Sequence, residues 1–483
     1  MDIKMKRNRK LQIMVIVGLT VIIGMLFLLR GALRIIAMEI VYFSRGDIPE
    51  ITVDFNDITG EMRPLHGINN GPKSGYSEVD QGTGNWQLDM TEVYELVNIP
   101  FVRIHDTEYP YGQDKFVDIH CIFPDMDQNV NDPSAYCFEE TDEYISAIIN
   151  SGAQVFFRLG ESIDHSGEDR YIHPPEDYMK WAQVCEHIIR HYNEGWADGF
   201  YYNIVYWEIW NEPDHKSMWT GSMEQYYELY RVTARYLKSM FPEIKIGGCA
   251  LASVSEESLL QFLQSLDIDG QKTPLDFFSW HLYTSNPERI GEWADLVRRV
   301  LDENGYENTE SILDEWNYIK NWDDLSGAAE VINSWEGAAY MAASLITMQK
   351  SPVDLAMYYD GQYVLADIFC GLYDSKGQIE PGYYAFSFYN QLCLLGQQVR
   401  MEEGLEQFYC CAASDQNEGG ILLANFDSKA VTIKLRINSG GENALITRVN
   451  EKYEDGIVSE EKWFFNRVVL KIEAGETLYI ELN

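Results

Sequence analysis

Two hydrophobic periods alternate along the middle of this chain. Short runs rich in β-branched and aromatic residues, such as PLHGINN, PFVRIHD, AQVFFRLG and IVYWEIWNEP, read as strands. Between them lie stretches whose apolar residues recur on one helical face, over residues 86–97, 139–150, 175–192 and 223–240. The alternation continues through IKIGGCALAS, helix 256–266, LDFFSWHLYT, helix 287–303, ESILDEWNY, helix 334–348 and VDLAMYYDG, with a last helix over 383–395. Eight such units predict an α/β fold, a (β/α)8 TIM barrel over residues 62–396. An open doubly wound sheet is the alternative, but no glycine-rich phosphate loop follows the first strand.

Past residue 397 the period shortens. QFYCCAAS, GGILLANF, AVTIKLRI, NALITRVN, NRVVLKIE and TLYIELN are strands joined by turns such as NSGGEN, the pattern of an antiparallel β-sandwich. EITVDFND, residues 50–57, precedes the barrel without a helix to follow it, and is expected to join that sandwich. The flanking domain then comprises residues 48–60 plus 397–483.

Residues 1–34 fit neither pattern. KMKRNRK is a basic cluster, and residues 11–29, LQIMVIVGLTVIIGMLFLL, carry no charge. An apolar helix needs roughly 20 residues to span a bilayer, and Lys/Arg ahead of it keep that end cytoplasmic. A cleaved signal peptide has a shorter apolar region and a small-x-small site, for which RGALRIIAMEI is a poor candidate. The expectation is an uncleaved N-terminal transmembrane helix, a single-pass signal anchor with the catalytic domain extracellular.

Charge narrows the partners. The net charge is −39, and the first 34 residues contribute +6, so the remainder carries −45. Such a surface repels nucleic acid and anionic headgroups. The eight cysteines include no CxxC; Cys121 and Cys137 flank a loop and can pair outside the cell, or all eight are thiols. The 12 Trp and 31 Tyr serve as core or as sugar-stacking platforms.

The chemistry lies at strand ends, because barrels of this kind place catalysis at the C-terminal ends of their strands. The fourth strand delivers Asn211 and Glu212 there, and Pro213 ends the ladder. The seventh delivers Glu315. Two carboxylates facing each other suit glycosidic cleavage: one protonates the leaving oxygen, the other attacks the anomeric carbon.

WNEP closing the fourth strand and EW closing the seventh resemble the clan of retaining barrel glycoside hydrolases. HGINNGP (residues 66–72), VRIHD (102–106) and EIWNEPD (208–214) most resemble glycoside hydrolase family 39, which contains β-xylosidases and α-L-iduronidases. The resemblance covers residues 50–483. It implies Glu212 as acid/base, Glu315 as nucleophile, and Asn211 on the hydroxyl beside the anomeric carbon. It places Arg103 under the nucleophile, His281 and Tyr283 on the floor, and His66, Asn69 and Asn70 against the sugar. It implies a carbohydrate substrate and neither metal nor cofactor. Arg158, Glu161 and His165 after the third strand, and Asp360 and Gln362 after the eighth, depart from the familiar members and leave the sugar open.

HIIRH, residues 187–191, has paired histidines at i, i+4, but Ile188 stands where a zinc protease needs Glu. Neither a G-x-S-x-G elbow nor a P-loop occurs. The leading expectation is an extracellular, xylosidase-like retaining glycosidase. The alternatives are a non-catalytic carbohydrate-binding scaffold, which has no need of both glutamates, and a transglycosylase, which uses the same pair.

Overall fold

The computed structural model describes residues 48–482, apart from 75–87, 106–115, 165–166, 364–367, 403–404, 406, 416, 439–442 and 463–465. Strand β1 (Glu50–Glu61) comes first. Eight parallel strands then close a barrel in chain order: β2 (Gly67–Asn69), β3 (Phe101–Ile104), β4 (Gln154–Leu159), β5 (Tyr206–Ile209), β6 (Lys245–Leu251), β7 (Phe277–Tyr283), β8 (Glu310–Asn317) and β9 (Leu355–Tyr358). Met357 and Tyr358 of β9 pair with Gly67 and Ile68 of β2 to complete the ring.

The helices Met223–Met240 and Glu256–Leu266 have the bounds their apolar spacing predicts. Each begins at a serine, Ser222 or Ser255, that accepts a backbone N–H of the first turn in a capping box. The helix expected over 86–97 is shorter, Thr91–Val97, because Leu88–Asp89 pairs with Lys73–Ser74 instead.

The C-terminal strands are β10 (Gln397–Glu402), β11 (Phe408–Ser414), β12 (Gly419–Asn425), β13 (Val431–Ile437), β14 (Asn443–Asn450), β15 (Tyr453–Lys462), β16 (Arg467–Ile472) and β17 (Glu476–Leu482). With β1 they form one nine-stranded sheet in the order β15-β14-β17-β12-β11-β10-β1-β13-β16. β1 runs antiparallel to β10 and parallel to β13, so the leading strand does join the C-terminal sheet. The ladder is continuous and curls around an apolar core that includes Ile51, Val53, Leu423, Ile433, Ile446 and Ile480.

The outer face of this sheet packs on helices Trp335–Gln349 and Pro381–Leu395, where Phe388 stacks on Tyr479 at 5.6 Å and Tyr340 meets Phe426 edge-on at 5.6 Å. The opposite sides of the same helices face β8, where Trp316 lies 6.4 Å from both Tyr340 and Phe386. Helices covered on two sides are apolar all round, which is how their sequences read.

The apolar run over residues 11–29 lies outside the described residues. Among the described residues no helix is long and apolar enough to cross a membrane. Cys121 and Cys137 are free thiols, so no disulfide joins them.

Candidate active site

Barrel strands send alternate side chains inward. The lower interior layer is apolar: Phe101, Phe156, Tyr206, Phe277, Ile312 and Leu355 pack on one another. Two residues further along, the same strands place Arg103, Arg158, Glu208, Ser279 and Asp314, all with no exposure. Above these, at the C-terminal ends, lie His105, Asn211, Glu212, His281 and Glu315.

Two local irregularities build that upper layer. Trp210 and Glu212 have φ of 72° and 43°, in the left-handed region that side chains other than glycine rarely occupy. This breaks the strand period after Ile209 and turns both Asn211 and Glu212 to the barrel mouth. On β8, pairing with β7 runs from Leu313↔Trp280 directly to Glu315↔His281. The extra residue is Asp314, and the bulge lets two consecutive acids both face inward.

Arg103 holds the layers together. Its Nη1 donates to Glu315 Oε1 and Asn69 Oδ1, both at 3.0 Å. Its Nε and Nη2 donate to Glu208 Oε2 at 2.8 and 2.7 Å, and Nη2 also to Asn211 Oδ1 at 2.6 Å. Asp314 Oδ2 is 3.1 Å from Nε. Burial works against the guanidinium charge, but Glu208, Asp314 and Glu315 more than offset it and raise its pKa.

His281 sits between the two proposed carboxylates. Its Nδ1 is 2.8 Å from Glu212 Oε1 and 3.4 Å from Glu315 Oε2, and its Nε2 is 3.6 Å from Asp314 Oδ1. Burial lowers the imidazole pKa, yet the Glu315 and Asp314 charges carry it well above its ordinary value. One carboxylate oxygen of Glu212 and one of Glu315 lie within 4.8 Å of each other. Tyr283 Oη donates to Glu315 Oε2 at 2.7 Å. Burial pushes the Glu315 carboxyl up, while His281, Arg103 and the Tyr283 hydrogen bond pull it back. Burial also pushes Glu208 up to about 8, and Asp314 beside it is lowered chiefly by Arg103 and His281 against the opposing effect of its own burial.

Glu212, Glu315, Arg103, Asn211, His281, Tyr283 and Asn69 therefore meet in one cluster, buried except for the partly exposed Glu212 and Tyr283. Asn69 contributes through its neighbours, donating Nδ2 to the Asp314 carbonyl at 2.6 Å. Asn70 accepts the His105 N–H on its Oδ1 at 3.1 Å and shapes the loop after β2. His66 does not reach the carboxylates. It precedes β2 on the outward-facing parity, its Nε2 is 3.2 Å from the Asn98 carbonyl, and its ring meets Tyr389 edge-on at 5.6 Å. Burial there lowers its pKa to about 4, so it is a neutral packing residue and not the sugar contact expected of it.

Arg158 stays in the middle layer and donates to Asp118, Ser162 and His105, and Asp360 after β9 accepts the Gln362 N–H at 3.0 Å within its own loop. His165 lies outside the described residues. Glu208, Asp314 and His105 had no assigned role in the sequence. An acid inside an otherwise apolar strand, as in YWEI, was the available signal for Glu208.

The sequence profile of Glycosyl hydrolases family 39 matches residues 71–376. A β-xylosidase of Geobacillus stearothermophilus is 26% identical over 249 residues, 46% of this chain and 48% of that one. A β-xylosidase of Caldicellulosiruptor saccharolyticus is 24% identical over 363 residues, 66% of this chain and 70% of that one. The match thus spans about half the length of the first relative. Among solved structures, a glucosidase from Croceicoccus marinus has a TM-score of 0.71 at 23% identity, covering 90% of this chain and 99% of that one. A monomeric β-xylosidase from Caulobacter crescentus has a TM-score of 0.66 at 17% identity, with the same coverage. These likenesses show a shared barrel-and-sheet fold. The profile spans the barrel from the loop after β2 to beyond β9, taking in both glutamates, and the chain belongs to family 39 of the glycosyl hydrolases.

Proposed function

We propose that this protein is a retaining glycosidase that cleaves xylosidic or closely related linkages by a two-step displacement. The observation that carries this is the approach of Glu212 and Glu315 to within 4.8 Å. Carboxyl groups about 5–5.5 Å apart form a covalent glycosyl-enzyme, whereas inverting pairs stand about 6.5–9.5 Å apart to admit a water between them. The β-xylosidase relatives favour a pentose at the reacting position.

Glu315 is the nucleophile. It is fixed by Arg103 below and Tyr283 beside it, and both interactions favour its anion. Glu212, less buried at the mouth, protonates the departing oxygen and then takes the proton from the water that releases the sugar. His281 lies against both, with its Nδ1 2.8 Å from Glu212 Oε1 and 3.4 Å from Glu315 Oε2, so one imidazole orients the two carboxylates relative to each other.

The test is leaving-group dependence together with product stereochemistry. Glu315→Ala should abolish turnover of every aryl xyloside by about 10⁴-fold or more, with partial rescue by azide to an inverted glycosyl azide. Glu212→Ala should slow substrates with poor leaving groups far more than 4-nitrophenyl β-xyloside, and azide should then give a retained product. Equal losses on all leaving groups, or inversion by the wild-type enzyme, would overturn the roles.

The basic cluster ahead of residues 11–29 supports anchoring with the catalytic domain outside the cell. Protease treatment of intact cells should release a fragment containing both glutamates. A mature protein beginning near residue 35 in the medium would overturn the anchor.

A further inference from the structure

His281 has carboxylate oxygens on both edges of its ring. Nδ1 faces Glu212 and Glu315, and on the far edge Nε2 faces Asp314 Oδ1 at 3.6 Å. The ring and Asp314 are both buried, and among the described residues Nε2 has no closer hydrogen-bond partner. A bare Nε2 would set its lone pair against an anion that water does not reach. An N–H in its place is attracted to the same oxygen, so a buried carboxylate beside a histidine decides which ring nitrogen keeps a proton.

Asp314 can play this part because Arg103 is already engaged elsewhere. The guanidinium donates twice to Glu208 Oε2 and once to Glu315 Oε1. Asp314 meets it through Oδ2 alone, at 3.1 Å from Nε, which leaves Oδ1 for His281. The remaining charged or titratable neighbours are Tyr283, which donates to Glu315, and Glu208, which stands beside Asp314. Burial opposes a charged imidazole, but Glu315 and Asp314 outweigh it. Burial likewise pushes the Asp314 carboxyl up, and Arg103 and His281 pull it below its ordinary value.

Resting on the glycosidase reading, we propose that Asp314 is a positioning residue for proton transfer: it holds a proton on His281 Nε2, so that the ring stays doubly protonated and donates from Nδ1 to Glu212 Oε1 through both steps of the reaction. In the first step the O–H bond on the other oxygen of Glu212 breaks as that proton joins the leaving oxygen. The charge left on the carboxylate is met by an imidazolium already in place. In the second step Glu212 takes a proton from the incoming water, whose oxygen bonds the anomeric carbon as the Glu315 ester breaks. His281 keeps both its protons throughout.

The experiment reads the ring and the reaction separately. With isotopically labelled histidine, the nitrogen NMR signals of His281, assigned by their loss in His281→Gln, should show both ring nitrogens protonated in wild type from about pH 5 to 8. In Asp314→Asn one proton should leave at a pH about one unit lower or more. The kcat/KM of that variant should fall about tenfold further for xylobiose, whose leaving group needs protonation, than for 4-nitrophenyl β-xyloside. The alkaline limb of its xylobiose profile should move to lower pH along with the ring. A bare Nε2 in wild type within that range would overturn the proposal, whether or not Asp314→Asn folds. An unmoved His281 titration in Asp314→Asn, or equal losses on the two substrates, would overturn it as well. If wild type leaves both substrates intact, the glycosidase reading fails on its own, and the His281 signals of the two proteins decide whether Asp314 holds the proton on Nε2.

Discussion

The lower and middle layers of the barrel interior come from the same strands, two residues apart, and obey opposite rules. Phe101, Phe156, Tyr206 and Ile312 fill the lower layer with hydrocarbon. Arg103, Arg158, Glu208 and Asp314 fill the next with charge, at no greater exposure. The first layer is stabilising because burying apolar area is favourable, by about 25 cal/mol per Å². The second is tolerated only because each charge meets a partner, since an isolated buried ion is far costlier than any side chain of the lower layer is worth. The difference separates what closes the barrel from what the barrel is for. The charged layer aims Arg103 at Glu315 and pins Asn211, and it would be a poor choice if stability were the only demand.

The largest effect should come from removing the hub of the charged layer. Arg103→Leu leaves Glu208, Asp314 and Glu315 without their shared guanidinium. Breaking a buried pair in this way costs about 3–5 kcal/mol. Activity should fall as well, by about 10³-fold or more, because burial is then less opposed in driving Glu315 toward its protonated form. Urea unfolding and kcat/KM read the two losses. A stability change under about 1 kcal/mol would mean that Arg103 is not the hub.

The same contrast explains what the sequence reveals. Short apolar, β-branched and aromatic runs alternating with amphipathic helices made the eight barrel strands legible, and the strand-end position of Glu212 and Glu315 made the carboxylate pair legible. The middle layer was hidden for local reasons. Asp314 keeps the inward parity of Ile312, and Glu315 joins it only because β8 bulges there. The presence of Glu315 at the mouth thus argues against an inward Asp314 unless the bulge, which has no simple sequence signal, is known. His66 was misplaced because parity along β2 gives Asn69 the interior and His66 the helix side. In the sheet domain, β15 reads YEDGIVSEEK and was missed, since a charged strand at a sheet edge carries little hydrophobic period. Charge at an edge guards against pairing with other chains, so the feature that hides the strand also has a use there.

In the lower layer, an equally drastic change should act on stability alone. Phe156 is fully buried, with Tyr206 stacked on it at 5.3 Å and Phe277 at 5.2 Å. Phe156→Ala should cost about 3–5 kcal/mol through lost burial and the cavity it leaves. Below the melting transition, kcat/KM should stay within about threefold of wild type, because Arg158 and Glu208 above it keep their partners. A loss of activity as large as that of Arg103→Leu would show that the two layers are coupled through packing.

The smallest effect sharpens the comparison most, because it isolates one charge. Burial, reinforced by the charge of Asp314 and a hydrogen bond to it, holds Glu208 at about 8 against the opposing pull of Arg103 and Ser279. An unfolded glutamate titrates near 4.3. Between these values the folded protein keeps a proton that the unfolded chain has lost. Stability from this group is therefore fully present below about pH 4 and declines as pH rises toward 8, by up to about 1.4 kcal/mol per unit. Asp314, lowered in the same cluster, has the opposite sign, and its contribution is lost only as pH falls below the ordinary carboxylate range. Glu208→Gln mimics the protonated acid in shape and in having a donor, so it should match wild type near pH 5 and exceed it near pH 8. Urea unfolding at pH 5, 6.5 and 8 measures both slopes. Parallel slopes for the two proteins would mean that Glu208 is ionised throughout and that Arg103 carries three negative charges unaided. A flatter slope in Glu208→Gln would mean that the charged layer is held partly by a proton, so that Arg103 has charge to spare for Glu315.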